Sequence, residues 1–132
     1  RARMVEQLNQ FCDAKVSIVT KGSTSPYPNP YNPNKCTIKS DYYSGKCTQK
    51  VKYKVEYQNG GEPCYILMHI YDVKGAEIRA LVSDVPQSSG EYILEWDGTN
   101  NDGVPVASGT YFYVVSGGGD SKSKTLKATL VK

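Results

Sequence analysis

The sequence has little excess charge and no long apolar run, and each absence excludes a class of protein. Among 132 residues, 16 Lys and Arg against 13 Asp and Glu leave a net charge of +3, too small to indicate a nucleic-acid or membrane-surface partner. The longest apolar stretches, Cys64–Met68 and Tyr111–Val115, are five residues long, whereas a membrane-spanning helix needs roughly 20 apolar residues. We therefore expect one globular domain with no membrane insertion and no nucleic-acid partner.

The sequence also lacks the common catalytic motifs. It contains no GxSxG elbow, no HExxH pair and no phosphate-cradling Gly loop, and His69 is its only histidine. His69 alternates with Met68 and Ile70, which is typical of a residue on the face of a strand rather than a general base. We predict a protein that is not an enzyme and needs no cofactor.

Four cysteines occur without a CxxC pair or a paired zinc-ligand spacing. Cys12, Cys36, Cys47 and Cys64 are better explained by two disulfides, for which three connectivities are possible. Disulfides indicate an oxidising compartment, so we predict an extracellular or cell-surface location. The sequence begins at Arg1 and shows no signal peptide, and we expect a processed or excised piece of an exported protein.

Tyrosine, glycine and proline dominate what is present. Eleven Tyr beside 12 Gly and 7 Pro favour short strands joined by turns. Val51, Tyr53, Val55 and Tyr57 alternate with charged residues, which predicts a strand with one buried face. Further strands are predicted at 65–71, 77–82, 92–96, 109–115 and 122–131. This spacing predicts an all-β fold of two packed antiparallel sheets.

The first 25 residues have a different pattern, and we treat 1–25 as an arm on a domain of residues 26–132. Apolar residues at steps of three and four indicate a short amphipathic helix, and residues 15–20 are predicted to form a strand. This strand contains the apolar residues Val16, Ile18 and Val19, and three arrangements are open for it. It could pair within the domain, it could belong to a missing upstream domain, or it could add to the sheet of a neighbouring subunit and build a fibre.

Four segments together carry a family resemblance. They are Tyr27-Pro28-Asn29-Pro30-Tyr31-Asn32-Pro33, Ile70-Tyr71-Asp72-Val73-Lys74-Gly75, Trp96-Asp97-Gly98-Thr99-Asn100-Asn101-Asp102-Gly103 and Val106-Ala107-Ser108-Gly109-Thr110-Tyr111-Phe112-Tyr113. In order and spacing they resemble the immunoglobulin-like domain named after the flagellar hook-capping protein. Similar modules recur at the C-termini of large exported bacterial proteins, including sorting domains of the type IX secretion system, and the Lys-rich segment 124–132 fits that placement.

The resemblance implies an Ig-like or fibronectin-III-like sandwich over roughly residues 26–132, with Trp96 in its core. Residues 36–47 depart from the family pattern and are interpreted as an insertion, and the N-terminal arm also lies outside the pattern. Both departures contain cysteines. We therefore expect Cys36 to close the insertion with Cys47, and Cys12 to fasten the arm to Cys64.

Three groups of residues are candidates for binding. Tyr42 and Tyr43, with Lys46 nearby, could stack on a sugar or a protein partner, although simple packing of the loop is the alternative. Lys50, Lys52 and Lys54 could grip an anionic polymer, or could simply form a solvated sheet face. Asp97, Asn101 and Asp102 are a weak calcium candidate, because their register does not fit an EF-hand loop and a polar hairpin uses the same residues.

These observations predict a non-enzymatic structural module, the C-terminal part of an exported bacterial protein, that mediates attachment, sorting or assembly. Its partners would be other proteins. Two alternatives remain open: a self-assembling filament subunit that exchanges the arm strand, and a carbohydrate-binding module for surface polysaccharide.

Overall fold

A computed structural model describes residues 14–18, 26–35, 42–43, 46–57, 63–117 and 124–132. These residues form nine strands: β1 (Ala14–Ile18), β2 (Tyr42–Tyr43), β3 (Lys46–Cys47), β4 (Gln49–Tyr57), β5 (Ile66–Tyr71), β6 (Glu77–Val82), β7 (Gly90–Trp96), β8 (Gly109–Gly117) and β9 (Lys124–Leu130). The predicted N-terminal helix lies outside the described residues. Within those ranges, no helix is long and apolar enough to cross a membrane.

The strands assemble into two antiparallel sheets and one small hairpin. The smaller sheet has the order β1-β4-β7, the larger has the order β6-β5-β8-β9, and β2 pairs with β3. The predicted all-β sandwich is confirmed. β4 and β5 follow one another in sequence but belong to different sheets, so the chain crosses the sandwich between them.

The core lies between the two sheets and follows the period-two alternation. Val51, Tyr53 and Val55 of β4 are at most 1% exposed, whereas Lys54 and Glu56 of the same strand are exposed. Trp96 is 1% exposed, so its predicted burial is confirmed.

The strand of the arm is an edge strand of the smaller sheet. β1 pairs with β4 from Ala14 opposite Tyr57 to Ile18 opposite Tyr53, and Val16 is 1% exposed. Of the three pairings considered for this strand, the structure shows the one within the same chain. Val19 lies outside the described residues.

Residues 26–35, which we call the proline strap, contact both sheets. Tyr27 exchanges two backbone hydrogen bonds with Lys50 of β4, at 2.9 and 2.7 Å. Tyr31 forms a parallel bridge beside Leu130, because its N–H donates to Thr129 O and its carbonyl accepts from Val131 N, both at 2.8 Å. The Tyr27-Pro28 and Asn29-Pro30 peptide bonds are cis. The strap therefore ties the two sheets together at one end of the sandwich.

Candidate interaction surfaces

The predicted tyrosine loop is a two-stranded hairpin. Tyr42 lies opposite Cys47 and Tyr43 lies opposite Lys46, so the backbone brings the three candidate residues Tyr42, Tyr43 and Lys46 together. The structure describes the backbone of these three residues. Stacking of the two rings on a sugar or a partner stays a prediction.

Cys47 and Cys64 lie at opposite ends of β4. Tyr31 Oη donates to Cys47 O at 2.5 Å, just before β4 begins, and Cys64 N donates to Tyr57 Oη at 2.8 Å, where β4 ends. The chain from residue 47 to 57 spans about 30 Å at ~3.3 Å per residue, whereas bridged cysteines have Cα atoms within ~7 Å. A Cys47–Cys64 disulfide is thus excluded. No described cysteine is free, and Cys12 and Cys36 lie outside the described residues, so the predicted pairing is untested.

The polar loop of residues 97–103 is held by hydrogen bonds within the loop and by one to the neighbouring strand β6. Asp97 Oδ1 accepts from Thr99 N and Oγ1 at 3.2 and 2.5 Å, and Asn101 Oδ1 accepts from Ala80 N at 2.9 Å. Asn100 Oδ1 accepts from the backbone N–H of Asp102 at 2.9 Å. The calcium candidates Asp97, Asn101 and Asp102 are therefore parts of one hydrogen-bonded turn.

A cation from the neighbouring strand already lies against this loop. The Arg79 guanidinium donates to Thr99 Oγ1 at 3.0 Å and to Asn100 O at 2.7 Å. Its positive charge opposes the binding of a second cation beside it. Within the ranges that the structure describes, no three His, Cys, Asp or Glu side chains form a group that could hold a metal ion.

The outer face of the smaller sheet is a ladder of charge pairs. Each of the three candidate lysines has a glutamate within 4 Å: Lys50 with Glu95 at 3.9 Å, Lys52 with Glu91 at 3.4 Å and Lys54 with Glu56 at 3.2 Å. Burial raises the pKa of the Glu95 carboxyl, against the opposing effects of Lys50 and a Thr48 hydrogen bond. The positive and negative charges on this face nearly balance. This favours a solvated sheet face over a binding site for an anionic polymer.

His69 lies on a strand face, as its alternation predicts. Its Nδ1 is 2.8 Å from Glu77 Oε1, and its ring stacks on that of Tyr71 with centroids 6.3 Å apart. The neighbouring residues Met68 and Ile70 point into the core, so His69 points out of the sandwich. Glu77 and Tyr71 thus fix the orientation of the imidazole.

The structure also shows a groove that sequence reasoning missed. It lies between β6 and β7, which end the two sheets on the same side of the sandwich, and we call it the edge groove. Its volume is about 470 Å³, and Val85 and Ile93 in its wall are 60% and 53% exposed. One feature of the sequence pointed to the groove. Ile93 is an apolar residue on the face of β7 whose other residues are glutamates.

Two stacked tyrosines and a buried glutamine form the polar part of the edge groove. The rings of Tyr53 and Tyr92 stack with centroids 6.0 Å apart, and Tyr53 Oη donates to Gln87 Oε1 at 3.2 Å. Burial is the main cause that raises the pKa of the Tyr53 hydroxyl, and the nearby Tyr92 adds to it. The hydroxyl therefore stays neutral at physiological pH. The groove thus combines apolar walls with fixed hydrogen-bonding groups and the carboxylates of Asp84 and Glu95, a combination typical of binding pockets.

Comparison with solved structures identifies matches in two proteins of Porphyromonas gingivalis. The chain is 17% identical to dimeric latent PorU, with a TM-score of 0.54, and the match covers 89% of this chain and 9% of PorU. It is 21% identical to PorZ, described as an essential bacterial surface component of the type-IX secretion system, with a TM-score of 0.46 over 94% of this chain and 12% of PorZ. The chain therefore corresponds to a small part of either protein.

The remaining comparisons concern sequence families. No curated protein matches the chain. The family model of the FlgD Ig-like domain matches residues 48–121, which is more than half of the chain and includes β4 to β8. The chain therefore belongs to the FlgD Ig-like domain family.

Proposed function

We propose that this chain is a non-enzymatic module of an exported protein that mediates attachment or sorting by docking a protein partner. The observation that carries the proposal is the edge groove, where Val85 and Ile93 expose apolar surface on a rigid sandwich. Elsewhere on the described surface, the lysine ladder pairs its charges with glutamates, and the 97–103 loop is hydrogen-bonded within itself and to β6. Apolar surface beside polar groups is typical of a protein-binding site.

Docking would use the backbone as well as the side chains of the groove. β7 is an edge strand among the described residues, so its outward N–H and C=O groups can accept an added strand, whereas β6 is already bonded to the 97–103 loop through Ile78 O and Ala80 N. An extended segment of a partner would pair with β7 and place an apolar side chain between Val85 and Ile93. Main-chain hydrogen bonds would supply affinity, and the apolar pocket would supply specificity.

The location of the module is supported by its family and by the resemblance of its motifs to type IX sorting domains. The last strand, β9, carries Lys127, and Lys132 follows it, with both side chains exposed. We propose that the module acts at the cell surface or outside the cell, and that β9 presents these lysines to the sorting machinery.

Attachment of a secreted reporter tests the proposed role of the groove. The full chain is fused behind a fluorescent protein with a signal peptide and is expressed in a bacterium with type IX secretion. We expect the reporter to appear on the cell surface, and Ile93→Lys to reduce the surface fraction at least several-fold. Val104→Lys is the matched control, because Val104 is 54% exposed in a loop outside the groove.

The two results are interpreted against the stability of each variant. Both substitutions lie at exposed positions, so the free energy of unfolding should change by less than about 0.5 kcal/mol. Equal surface fractions for Ile93→Lys and the unsubstituted chain would overturn the role of the groove. Retention of every reporter inside the cell would overturn the sorting function itself.

The two alternative functions have their own tests. A filament would exchange β1 between subunits, but β1 already forms its backbone pairing with β4 of the same chain. Light scattering on full-length and arm-deleted protein that shows monomers at every concentration would reject the filament. A glycan array without binding by the unsubstituted chain or the Tyr42→Ala, Tyr43→Ala variant would reject the carbohydrate module.

A further inference from the structure

The position of the strap shows which backbone groups of β7 are open to a partner. Lys50 N and O are bonded to Tyr27 O and N at 2.7 and 2.9 Å, so these groups of β4 point away from β7. The register of β4 against β7 is continuous, and the direction of the backbone groups alternates along each strand. Glu95, which lies opposite Lys50, therefore points its N–H and C=O away from β4, as do Ile93 and Glu91. Among the described residues no hydrogen bond reaches these groups, so they can pair with an added strand.

The side chains along this open edge form a symmetrical pattern. Residues 91–95 read EYILE, so one glutamate lies at each end of three apolar residues. Glu91, Ile93 and Glu95 share the outer face of the sheet with the lysines of β4, which they oppose in the register. Tyr92 and Leu94 point to the other face and line the edge groove. Because the pattern is the same from either end, it suits an added strand of either direction.

The charge beside the open edge is negative, although the outer face of the sheet as a whole is nearly balanced. Lys50 contacts Glu95 through Oε1 at 3.9 Å, and Lys52 contacts Glu91 through Oε2 at 3.4 Å. Within the described ranges, each carboxylate therefore has a second oxygen without an ion-pair partner. The opposite wall of the groove adds the exposed Asp84, and the described residues that line the groove include no Lys, Arg or His.

The apolar wall opposite β7 is fixed before a partner arrives. Ser83 Oγ and Gln87 Nε2 both donate to Val85 O at 3.0 Å. Gln87 is itself held, because its N–H donates to Cys64 O at 2.7 Å and its Oε1 accepts from Tyr53 Oη at 3.2 Å. Val85 is nevertheless 60% exposed. An exposed apolar side chain on a fixed backbone loses little conformational freedom on binding, which increases affinity.

A second copy of this chain does not suit the same edge. If two β7 strands paired antiparallel about Ile93, Glu91 of each copy would lie opposite Glu95 of the other. Like charges directly opposite one another destabilise a sheet, and charged edges are a common means of preventing such pairing. Protection alone does not account for Ile93, which is 53% exposed between the two glutamates. The edge therefore repels its own copy and retains apolar surface for a different strand.

We propose that the edge groove binds an extended segment of another protein with the pattern basic, apolar, apolar, apolar, basic, added as a strand along β7. The inference rests on the proposed docking function and specifies its partner. The two basic side chains would lie beside Glu91 and Glu95, which they can reach because neighbouring strands are ~4.8 Å apart. The central residue would pack on Ile93, and the second and fourth would enter the groove beside Tyr92 and Leu94.

Titration of the full chain with synthetic peptides tests this pattern. The probe is a nine-residue peptide with Lys-Val-Ile-Val-Lys at its centre, and the comparison peptide has Glu in place of both Lys. We expect the backbone amide resonances of Glu91, Ile93 and Glu95 to shift on addition of the Lys peptide. The Lys peptide should bind at least about tenfold more tightly than the Glu peptide, because the Glu peptide places like charges together.

Reversal of one charge on the protein is the matched test. Glu91→Lys should remove the preference for the Lys peptide. Glu56→Lys makes the same change in net charge on the same sheet face, where Glu56 is 54% exposed on the side of β4 that pairs with β1. It lies two strands from the added segment, which is more than the ~8 Å over which charges act at physiological salt. This control should therefore keep the preference of the unsubstituted chain.

The outcomes separate this inference from the proposed function. Equal affinities for the two peptides, with shifts at Ile93, would overturn the basic pattern and leave a groove that accepts strands. Binding of neither peptide, or shifts confined to residues outside β7 and the groove, would also overturn the inference. In each case the surface fraction of the Ile93→Lys reporter decides the proposed function independently.

Discussion

The indole ring of Trp96 meets the ring of Tyr113 edge-on, with centroids 5.8 Å apart and an interplanar angle of 88°. A second edge contact, to Tyr111, has a centroid distance of 5.3 Å, and Trp96 Nε1 donates to Thr99 O at 2.8 Å. Trp96 lies on the smaller sheet and both tyrosines lie on the larger one. One side chain therefore links the two sheets and anchors the 97–103 loop.

Truncation of this side chain should be severely destabilising. We expect Trp96→Ala to lower the free energy of unfolding by about 3–5 kcal/mol, because it leaves a large cavity between the sheets. Trp96→Phe keeps an aromatic ring but loses the hydrogen bond to Thr99, so its loss should be smaller. Urea denaturation followed by circular dichroism measures both. A loss below about 1 kcal/mol for Trp96→Ala would contradict the central position of the indole.

Two glycines with open space around them should respond differently to alanine. Gly75 has φ of +84°, and an added Cβ would meet nothing within 4 Å. We expect Gly75→Ala to cost about 1–2 kcal/mol, from backbone strain alone. Gly109 is equally open but lies outside the left-handed region, so Gly109→Ala should be neutral or slightly stabilising. Thermal unfolding compares the two, and equal losses would contradict the backbone argument.

Glu95 should make stability depend on pH. Burial raises the pKa of its carboxyl in the folded protein, so the folded state binds this proton more tightly than the unfolded state. The resulting stability is present below the ordinary glutamate pKa of about 4.3 and is lost as pH rises through the raised pKa. Glu95→Gln should therefore be more stable than the unsubstituted chain at pH 7, with the difference shrinking below about pH 4.

Denaturation at several pH values measures this effect. Glu91→Gln is the matched control, because Glu91 faces Lys52 at 3.4 Å on the same sheet face but is 53% exposed. Exposed pairs of this kind contribute only about 0–1 kcal/mol, so the control should show little gain at pH 7. A Glu95→Gln variant that is less stable than the unsubstituted chain at pH 7 would show that the Lys50 pair outweighs desolvation.

The cysteines should pair as Cys12–Cys64 and Cys36–Cys47. Ala14, two residues after Cys12, lies opposite Tyr57, which contacts Cys64. At the other end, Tyr31 contacts Cys47 and belongs to the strap that leads to Cys36. Tryptic peptides mapped without reduction should show these two links. The crossed pairs Cys12–Cys47 and Cys36–Cys64 would contradict this assignment.

Removal of one bridge tests its energetic contribution. The Cys36–Cys47 bridge closes a loop of about ten residues, so the double variant Cys36→Ser, Cys47→Ser should lose roughly 2–4 kcal/mol if the bridge is unstrained. The comparison is made under identical non-reducing conditions. An unchanged free energy of unfolding would indicate that the bridge does not form or stores equal strain.

Much of the sandwich was predictable because its signals are local. The alternation along β4 predicted the strand and the burial of Tyr53, and the family resemblance placed Trp96 in the core. Short turns of Asp, Asn and Gly predicted where strands end. These features depend on residues within one strand or one turn, which a single sequence displays.

The unpredicted features depend on residues that are distant in sequence. The edge groove exists because β6 and β7 end their sheets on the same side, and no local pattern specifies which strands are edges. The bridge from Tyr31 to Leu130 joins opposite parts of the chain. The alternation in β5 correctly placed Ile66, Met68 and Ile70 on one face, but it gave no indication that Leu67 on the other face is also buried.

The proline strap has a mechanical consequence for the last strand. β9 is hydrogen-bonded to β8 along one edge, and beside Leu130 it is bonded to Tyr31 of the strap. Tension applied at Lys132 would shear the parallel Tyr31 bridge, and the bonds between Tyr27 and Lys50 would pass part of that load to the opposite sheet. β9 therefore cannot separate from the edge of the sandwich unless the hydrogen bonds of the strap that connects the two sheets also break.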